Sequence, residues 1–547
     1  MDSVYAYVHA DYLDNVLYSI GEIGTFQIVN IRESLKEFKG QLQTVEGSEK
    51  LSCVSALLSR VDTLIGVLKI PSKVERRVKV EKFLSDEEMA KLGESLGKIE
   101  GANTDIQSQL SDLEKAEEKT PEIERKIASL KKELKELGDK EAERLLVAKE
   151  QLEIIRKIEE AKGLLGKTDQ TYVIKGWVPE DGVDKTLQAI KKTSEGNCLL
   201  EYKRAGLTRA AEHGGKAQEH PPPSLLKNPK IAKAVEALTT SFGVPNYNEL
   251  DPSIIMVFSF PFIFGIMFGD VGHGLILLLA GIALYISGRK SAKVGEMIGY
   301  FVKGSPLIIL CGLFAIVFGF LYNEFFGPTG LAELIREQFH AIGLTIPYWF
   351  SPSKQPMLLL KYCIYIAIIH ISSGLILSLI NNLMNKRFKE AIAGPLLWLW
   401  SYWSGCYLFL TYGSKMLTVA FNPSVMFQFI LLPFLVMLIV RSKLHGMEGF
   451  GEALESFIAS ISNTISYARI LALNLAHAIF SEMALLGTGI FLVVTFTAFT
   501  FMILTLEAVI TFMHTFRLHL IEWFLKFYAG TGTLYKPFVI TREFTTI

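Results

Sequence analysis

The sequence predicts N-terminal α+β lobes joined by a long antiparallel coiled coil, followed by an all-α transmembrane domain of about eight helices. Three observations carry this. The 547 residues include 56 basic and 56 acidic side chains, yet residues 1–250 hold 80 of them and residues 251–547 only 32. The second half is built of long charge-free apolar runs. The first half alternates strand-like and helix-like patterns around a charged stretch with leucines and isoleucines at coiled-coil spacing. Two regions are therefore expected, 1–250 in the cytoplasm and 251–547 in a membrane.

In the first region, Val4–Val8, Tyr172–Trp177 and Cys198–Tyr202 read as short strands. Ile106, Leu110, Leu113, Ile123, Ile127, Leu130, Leu134 and Leu137 mark the rod, which Pro121 and Gly138 are expected to punctuate. It resumes with Leu145, Leu152, Ile155 and Ile158, and a segment from about 31 to 69 is its expected antiparallel partner. Ala161 to Thr168 (AKGLLGKT) fits a relaxed phosphate-loop pattern. The order is inverted, however, because a phosphate loop follows a strand and opens a helix. No nucleotide site is expected there. No HExxH or kinase-like set occurs either, so the chain is not expected to be catalytic by itself.

In the second region, charge-free runs cover 252–269, 271–288, 304–323, 362–385, 391–414, 416–440 and 483–506. Residues 456–486 add a span interrupted by Arg469 and Glu482, and the last helix is expected to continue to about residue 527. A hairpin at Gly269-Asp270-Val271-Gly272 makes eight spans with both termini inside. Twelve basic residues, among them Arg289, Lys290, Lys293, Lys386, Arg441 and Lys526, then face the cytoplasm and four face out. One long helix over 252–288 would reverse that bias, which runs against the positive-inside rule.

Net charge zero excludes a polybasic nucleic-acid binder. Cys53, Cys198, Cys311, Cys363 and Cys406 lack ligand spacing, so neither a disulfide framework nor a metal site is expected. Met1 to Ala10 does not read as a secretory signal.

The functional signal is charge inside apolar helices. Arg469 has thirteen uncharged residues before it and twelve after it. Burying such a group costs about 2.5–3.5 kcal/mol on insertion scales, so it points to function. Arg517 sits in the last helix, with Glu507 ten residues earlier and His514, His519 and Glu522 close by. Glu455 precedes Arg469 and His477 follows it, giving two polar tracks, one open to each side, that meet at the arginines.

Three segments resemble the membrane-embedded a/I-type subunit of rotary V/A-type ATPases. They are Pro261 to Gly274 (PFIFGIMFGDVGHG), Ser462 to Ala478 (SNTISYARILALNLAHA) and His514 to Gly530 (HTFRLHLIEWFLKFYAG). Lys175 to Pro179 (KGWVP) in the first region is also similar. Departures include Ala468 and Ile470 where the family often has leucines, and Asn474 for a common serine. The resemblance implies a non-catalytic stator subunit with two ion half-channels against a proteolipid c/K ring. Arg469 would be the principal arginine and Arg517 its partner. Glu507, His477 and His514 would line the outer half-channel and Glu455 the cytoplasmic side, with Asp270 at the outer hairpin tip. Further partners implied are peripheral-stalk E/G-type subunits, a central-stalk d/C-type connector and membrane lipid, in a prokaryotic plasma membrane. No cofactor is implied. Two other readings stand beside this one: a secondary transporter or channel in which Arg469 binds an anion, and a structural tether whose rod recruits partners.

Overall fold

The computed structural model describes residues 1–31, 43–44, 49–70, 77–80, 84–114, 121–168, 170–204, 221–229, 231–290, 296–341, 349–486 and 488–546. They form two compact units, Met1–Pro223 with Tyr535–Ile547, and Ser224–Leu534. Composition changes near residue 250, but the second unit starts earlier because the preceding helix packs into it.

The first unit contains β1 (Asp2–His9), α1 (Leu13–Ile23), β2 (Gln27–Ile28), β3 (Gln43–Thr44), α2 (Glu49–Val67), β4 (Val78–Lys79), α3 (Asp86–Glu114), α4 (Pro121–Lys162), β5 (Gly166–Lys167), β6 (Thr171–Val178), α5 (Val183–Thr193), β7 (Cys198–Arg204) and β8 (Thr545–Thr546). The three strands expected from the sequence share one sheet, ordered β3-β5-β6-β1-β7 with β2 on β6. β1 runs antiparallel to both neighbours, with Val4 opposite Gly176 and Tyr202. Its alternate residues Val4, Ala6 and Val8 are fully buried, as the two-residue period of a strand requires. They pack on Val16, Leu17 and Ile20 of α1, Ile190 of α5, and Ile154 and Ile158 of α4. Gly176 lies under the Phe26 ring, where any side chain would collide; this accounts for a glycine inside a strand.

α4 has 42 residues, about 63 Å at 1.5 Å per residue. Pro121 is its first residue and Gly138 lies within it, so the expected interruption at Gly138 is absent. The reason is local: the glycine leaves room for Leu68, whose carbonyl oxygen lies 3.3 Å from where a β-carbon would be. Leu57, Leu58, Val61 and Leu64 of α2 pack with Leu96 of α3 and with Leu145, Leu152 and Ile155 of α4. Of the partner segment expected over 31–69, residues 32–42 and 45–48 lie outside the described residues, as does Lys293. Arg60 holds Glu100 in a two-pronged pair between α2 and α3, at 2.9 and 2.7 Å.

The segment Ala161–Thr168 is the end of α4 followed by β5. A helix C-terminus, not an N-terminus, faces it. Lys162 is occupied by Asp14 at 2.6 Å and Glu159 at 2.7 Å. Burial works against its charge, but these two carboxylates outweigh it and raise the ammonium above its ordinary pKa. The C-terminal segment returns to this unit: Phe538 bridges Phe26, β8 pairs in parallel with β4, and Glu150 accepts from the backbone amides of Glu543 and Phe544.

The second unit is helical: α6 (Ala232–Phe242), α7 (Ser253–Phe268), α8 (Val271–Lys290), α9 (Glu296–Tyr322), α10 (Leu331–Ala341), α11 (Pro356–Met384), α12 (Phe388–Ala391), α13 (Leu397–Tyr412), α14 (Met416–Ala420), α15 (Pro423–Val425), α16 (Leu432–Ser466), α17 (Ala468–Ala484), α18 (Gly489–Met502) and α19 (Ala508–Arg517). Val235 of α6 packs with Met256 and Phe260 of α7. Among the described residues, five segments are long and apolar enough to cross a membrane: Val271–Gly288, Gly299–Tyr322, Pro356–Met384, Pro423–Ala484 and Gly489–Lys526. Ser253–Phe268 is apolar but shorter. Pro423–Ala484 runs to 62 residues, well beyond the roughly 20 that one crossing needs. It is broken at Gly446, which has φ 64° and ψ −135°, a backbone state that glycine adopts without side-chain strain.

The chain turns back at Gly269–Asp270. Gly265 and Gly269 pack on Phe314 and Tyr322, so α7 runs with α9. Gly274, Gly281 and Gly288 pack on Ala315, Ile309 and Val302, so α8 runs against it. Gly312 and Gly319 of α9 complete the close approach, against Leu278 and Val271.

Candidate functional site

Two wide π-helical turns shape the last helix. One covers Ile503–Glu507 ahead of α19, the other Leu518–Trp523 after it. Such turns re-aim side chains and recur at functional positions. Each here carries a buried carboxylate, Glu507 and Glu522, 3% and 2% exposed.

Glu522 meets Arg469. Arg469 Nη1 lies 3.2 Å from Glu522 Oε1, and the arginine side chain is 26% exposed. Behind the pair, Tyr467 and Trp523 are fully buried. The Tyr467 hydroxyl lies 2.6 Å from His370 Nδ1, and the His370 ring lies nearly flat on Trp523. His519 Nδ1 is 2.8 Å from the Thr515 carbonyl, which can only accept, so the ring proton sits there and Ser259 Oγ donates to Nε2. This layer fixes α17 against the second π turn. In front of the pair the surface is apolar. Arg469 lines a cavity of about 690 Å³ with Phe457, Ile458, Ile461, Ile465 and Ala472, and Ile458, Ile461 and Ile465 are 58, 54 and 66% exposed.

Glu507 meets His477. His477 Nδ1 lies 2.8 Å from Glu507 Oε1, both groups being buried. Two turns of chemistry converge beside them. Asp270 is fully buried and accepts from the amides of His273, Phe326 and Gly327 at 2.9, 3.1 and 2.7 Å. It thereby caps α8 and fixes the loop after α9. The His273 and His477 rings pack edge to face, with centroids 5.3 Å apart. One helical turn before His477, Asn474 Nδ2 donates to the Ile266 carbonyl and ties α17 to α7.

The other predicted residues lie nearer the surface, His514 within electrostatic reach of both Arg469 and Arg517. Arg517 is exposed on α19, and His514, one turn earlier, is half-buried. Glu455 is exposed on α16. Among the site residues expected from sequence, the structure thus joins His477 with Glu507 and sets Asp270 beside them. It joins Arg469 to Glu522, which sequence reasoning noted only as a flanking group. His273, Glu324 and His370 were not singled out at all. Their signal was a polar residue inside, or at the end of, an apolar run, which a span boundary also produces.

Several helices long and apolar enough to cross a bilayer, with buried ion-paired groups among them, define the class as a membrane protein. The chain belongs to the V-type ATPase 116kDa subunit family, whose model matches residues 85–331 and 449–540. Every predicted site residue lies within those two segments. Among its relatives, the A-type ATP synthase subunit I of Methanocaldococcus jannaschii is 28% identical over 470 residues, 79% of this chain and 64% of that protein. Its counterpart in Methanothermobacter thermautotrophicus is 25% identical across 96% of this chain and 73% of its own length. The vacuolar proton translocating ATPase 100 kDa subunit of Dictyostelium discoideum is 26% identical across 68% of this chain and 58% of its own. The match thus spans under two thirds of the Methanocaldococcus and Dictyostelium proteins and nearly three quarters of the Methanothermobacter one.

Proposed function

We propose that this chain is a non-catalytic stator subunit of a rotary V/A-type ATPase or ATP synthase, providing two half-channels for H+ or Na+ against a proteolipid c/K ring. The observation that carries the reading is Arg469 on an exposed helix stripe that is otherwise uncharged and, apart from Ser462 and Ser466, apolar. A guanidinium facing lipid would be costly, whereas one facing the ion-binding carboxylate of a ring subunit would favour its ionised form. Arg469 is the principal arginine and Arg517 its partner. Glu507, His477 and His514 line the outer half-channel, with Asp270 at the outer hairpin tip, and Glu455 opens toward the cytoplasm.

In this reading residues 251–547 cross a prokaryotic plasma membrane eight times with both termini inside. Residues 1–250 form α/β lobes joined by the coiled-coil rod and bind peripheral-stalk E/G-type subunits and the central-stalk d/C-type connector. The names of the relatives and the reversal at Gly269–Asp270 support it. Ion flux through vesicles decides the matter: the chain reconstituted alone is expected to conduct nothing, and the complete complex to pump on ATP addition. Substrate transport by the isolated chain would overturn the reading in favour of a secondary transporter.

A further inference from the structure

We propose that Asp270, His273 and His477 form a binding site for one transition-metal ion of the zinc class. One ligand atom from each lies within 4.8 Å of the others; Asp270 and His273 are three residues apart, and the fold brings His477 to them from far along the chain. All three are buried, at 0, 1 and 0% exposure. His273 Nδ1 is 3.2 Å from Asp270 Oδ1. Two ligands on a tetrahedral zinc ion, with bonds of about 2.0–2.1 Å, are separated by about 3.4 Å. The widest pair here would close by about 1.4 Å on binding.

Two of the nitrogen atoms are unused. His273 Nε2 and His477 Nε2 have no hydrogen-bond partner, and His273 Nδ1 has only its 3.2 Å approach to Asp270 Oδ1. Buried polar atoms left unpaired are rare and costly. His477 is also oriented as a ligand would be, because its Nδ1 is held by Glu507 Oε1 at 2.8 Å. Metal-binding histidines commonly give their second nitrogen to a carboxylate in this way. Phe268 packs on the His477 ring and Phe326 on the His273 ring, at centroid distances of 4.8 and 5.0 Å, which makes the surroundings dry. Asp270 is immobilised by three amide donors, two on Oδ1 and one on Oδ2, which leaves one lone pair, on Oδ2, for an ion. Two imidazoles and one carboxylate suit zinc, cobalt or nickel, whereas magnesium and calcium take oxygen sets.

An ion here would pin the α7–α8 turn to α17. Since His477 also lines the proposed outer half-channel, occupancy would close that path. This consequence rests on the functional reading above; the binding itself does not.

The test is Zn2+ binding to the tag-free full-length chain in lipid-supplemented detergent, after stripping with a chelator and in competition with a chromogenic dye. One Zn2+ per chain is expected, undisturbed by millimolar Mg2+. Glu507→Gln should weaken it about 10- to 100-fold, and His273→Gln and His477→Gln should weaken it further. His445→Gln, at an exposed position of α16, should leave it unchanged. X-ray absorption on the unmodified protein should report two imidazole nitrogens, a readout that needs no variant to fold. Absence of stoichiometric binding, displacement by Mg2+, binding by both histidine variants as tight as by the unmodified chain, or zinc without imidazole ligands would each overturn the site. Ion pumping is not read, so failure here leaves the functional reading untouched.

Discussion

Arg469 and Glu522 form an ion pair across two helical segments, 3.2 Å apart, with the carboxylate buried and the guanidinium a quarter exposed. The asymmetry separates two roles. Toward Glu522 the arginine satisfies a buried charge; toward the exposed apolar stripe it is free to meet a partner. Removing it strands Glu522, and breaking a buried pair costs about 3–5 kcal/mol. The exposure of Arg469 puts Arg469→Ala near the lower end. The double variant Arg469→Ala, Glu522→Gln should recover most of that stability in thermal unfolding of the full chain. It should still fail to pump. Recovery of pumping together with stability would reduce Arg469 to a structural residue.

Glu507→Gln keeps the shape of the His477 contact and removes its charge. Charge-assisted hydrogen bonds are worth about 1.5–3 kcal/mol, so ATP-driven transport should slow by about 10- to 100-fold. Initial rates of vesicle acidification or Na+ uptake measure this. Loss of assembly with normal specific transport would count against a channel role.

Membrane sidedness can be read with single cysteines, but not at Gly272, where a side chain would run into the Phe326 ring. Leu331 and Phe388 are 44 and 60% exposed and flank α10 and α12. In a background lacking Cys53 and Cys198, Leu331→Cys should react with an impermeant reagent from outside and Phe388→Cys only from the cytoplasm. The reverse pattern would invert the proposed topology.

In the first unit, Gly176→Ala drives a methyl into the Phe26 ring. Overpacking of this kind costs about 1–3 kcal/mol. The melting temperature should fall, and Phe26→Leu, which removes the ring but leaves the Gln27 carbonyl oxygen 2.5 Å from the new methyl, should restore only part of it.

Glu100 supplies a pH dependence. The hydrogen bond from Arg60 holds its carboxyl below the usual range, against a smaller effect of burial. A depressed folded pKa adds stability that is complete above the unfolded value, about 4.3, and is lost as pH falls through the folded one. Both side chains are over a third exposed, so the contribution is at most about 1 kcal/mol. Hydrogen-exchange protection factors in α2 and α3, corrected for the intrinsic rate at each pH, should fall below pH 4 in the unmodified chain, and Glu100→Gln should show the lower protection already at pH 7.

The sequence was most informative where one residue's setting suffices. Strand alternation placed β1, β6 and β7, and charge-free runs located the apolar helices, because both depend on the immediate neighbours in the chain. Arg469 declared itself by its cost. What escaped depends on distant residues. Gly138 reads as a helix stop until Leu68 lies against it. Asp270, His273 and His477 carry no ligand spacing, since the fold alone brings α8 to α17. The return of the C-terminal segment was equally illegible: β8 has two residues, and its partner strand is as short.

That return has a mechanical meaning. The backbone passes between the two units twice, at 223/224 and at 534/535. At the crossing the two strands are bonded to each other, with the Ser224 amide donating to the Thr533 carbonyl at 2.8 Å and Ser224 bridged to Leu534. A lone tether is severed by one cut, whereas with two passages a single proteolytic nick in either leaves the halves joined. The chain is built as a strap rather than a string.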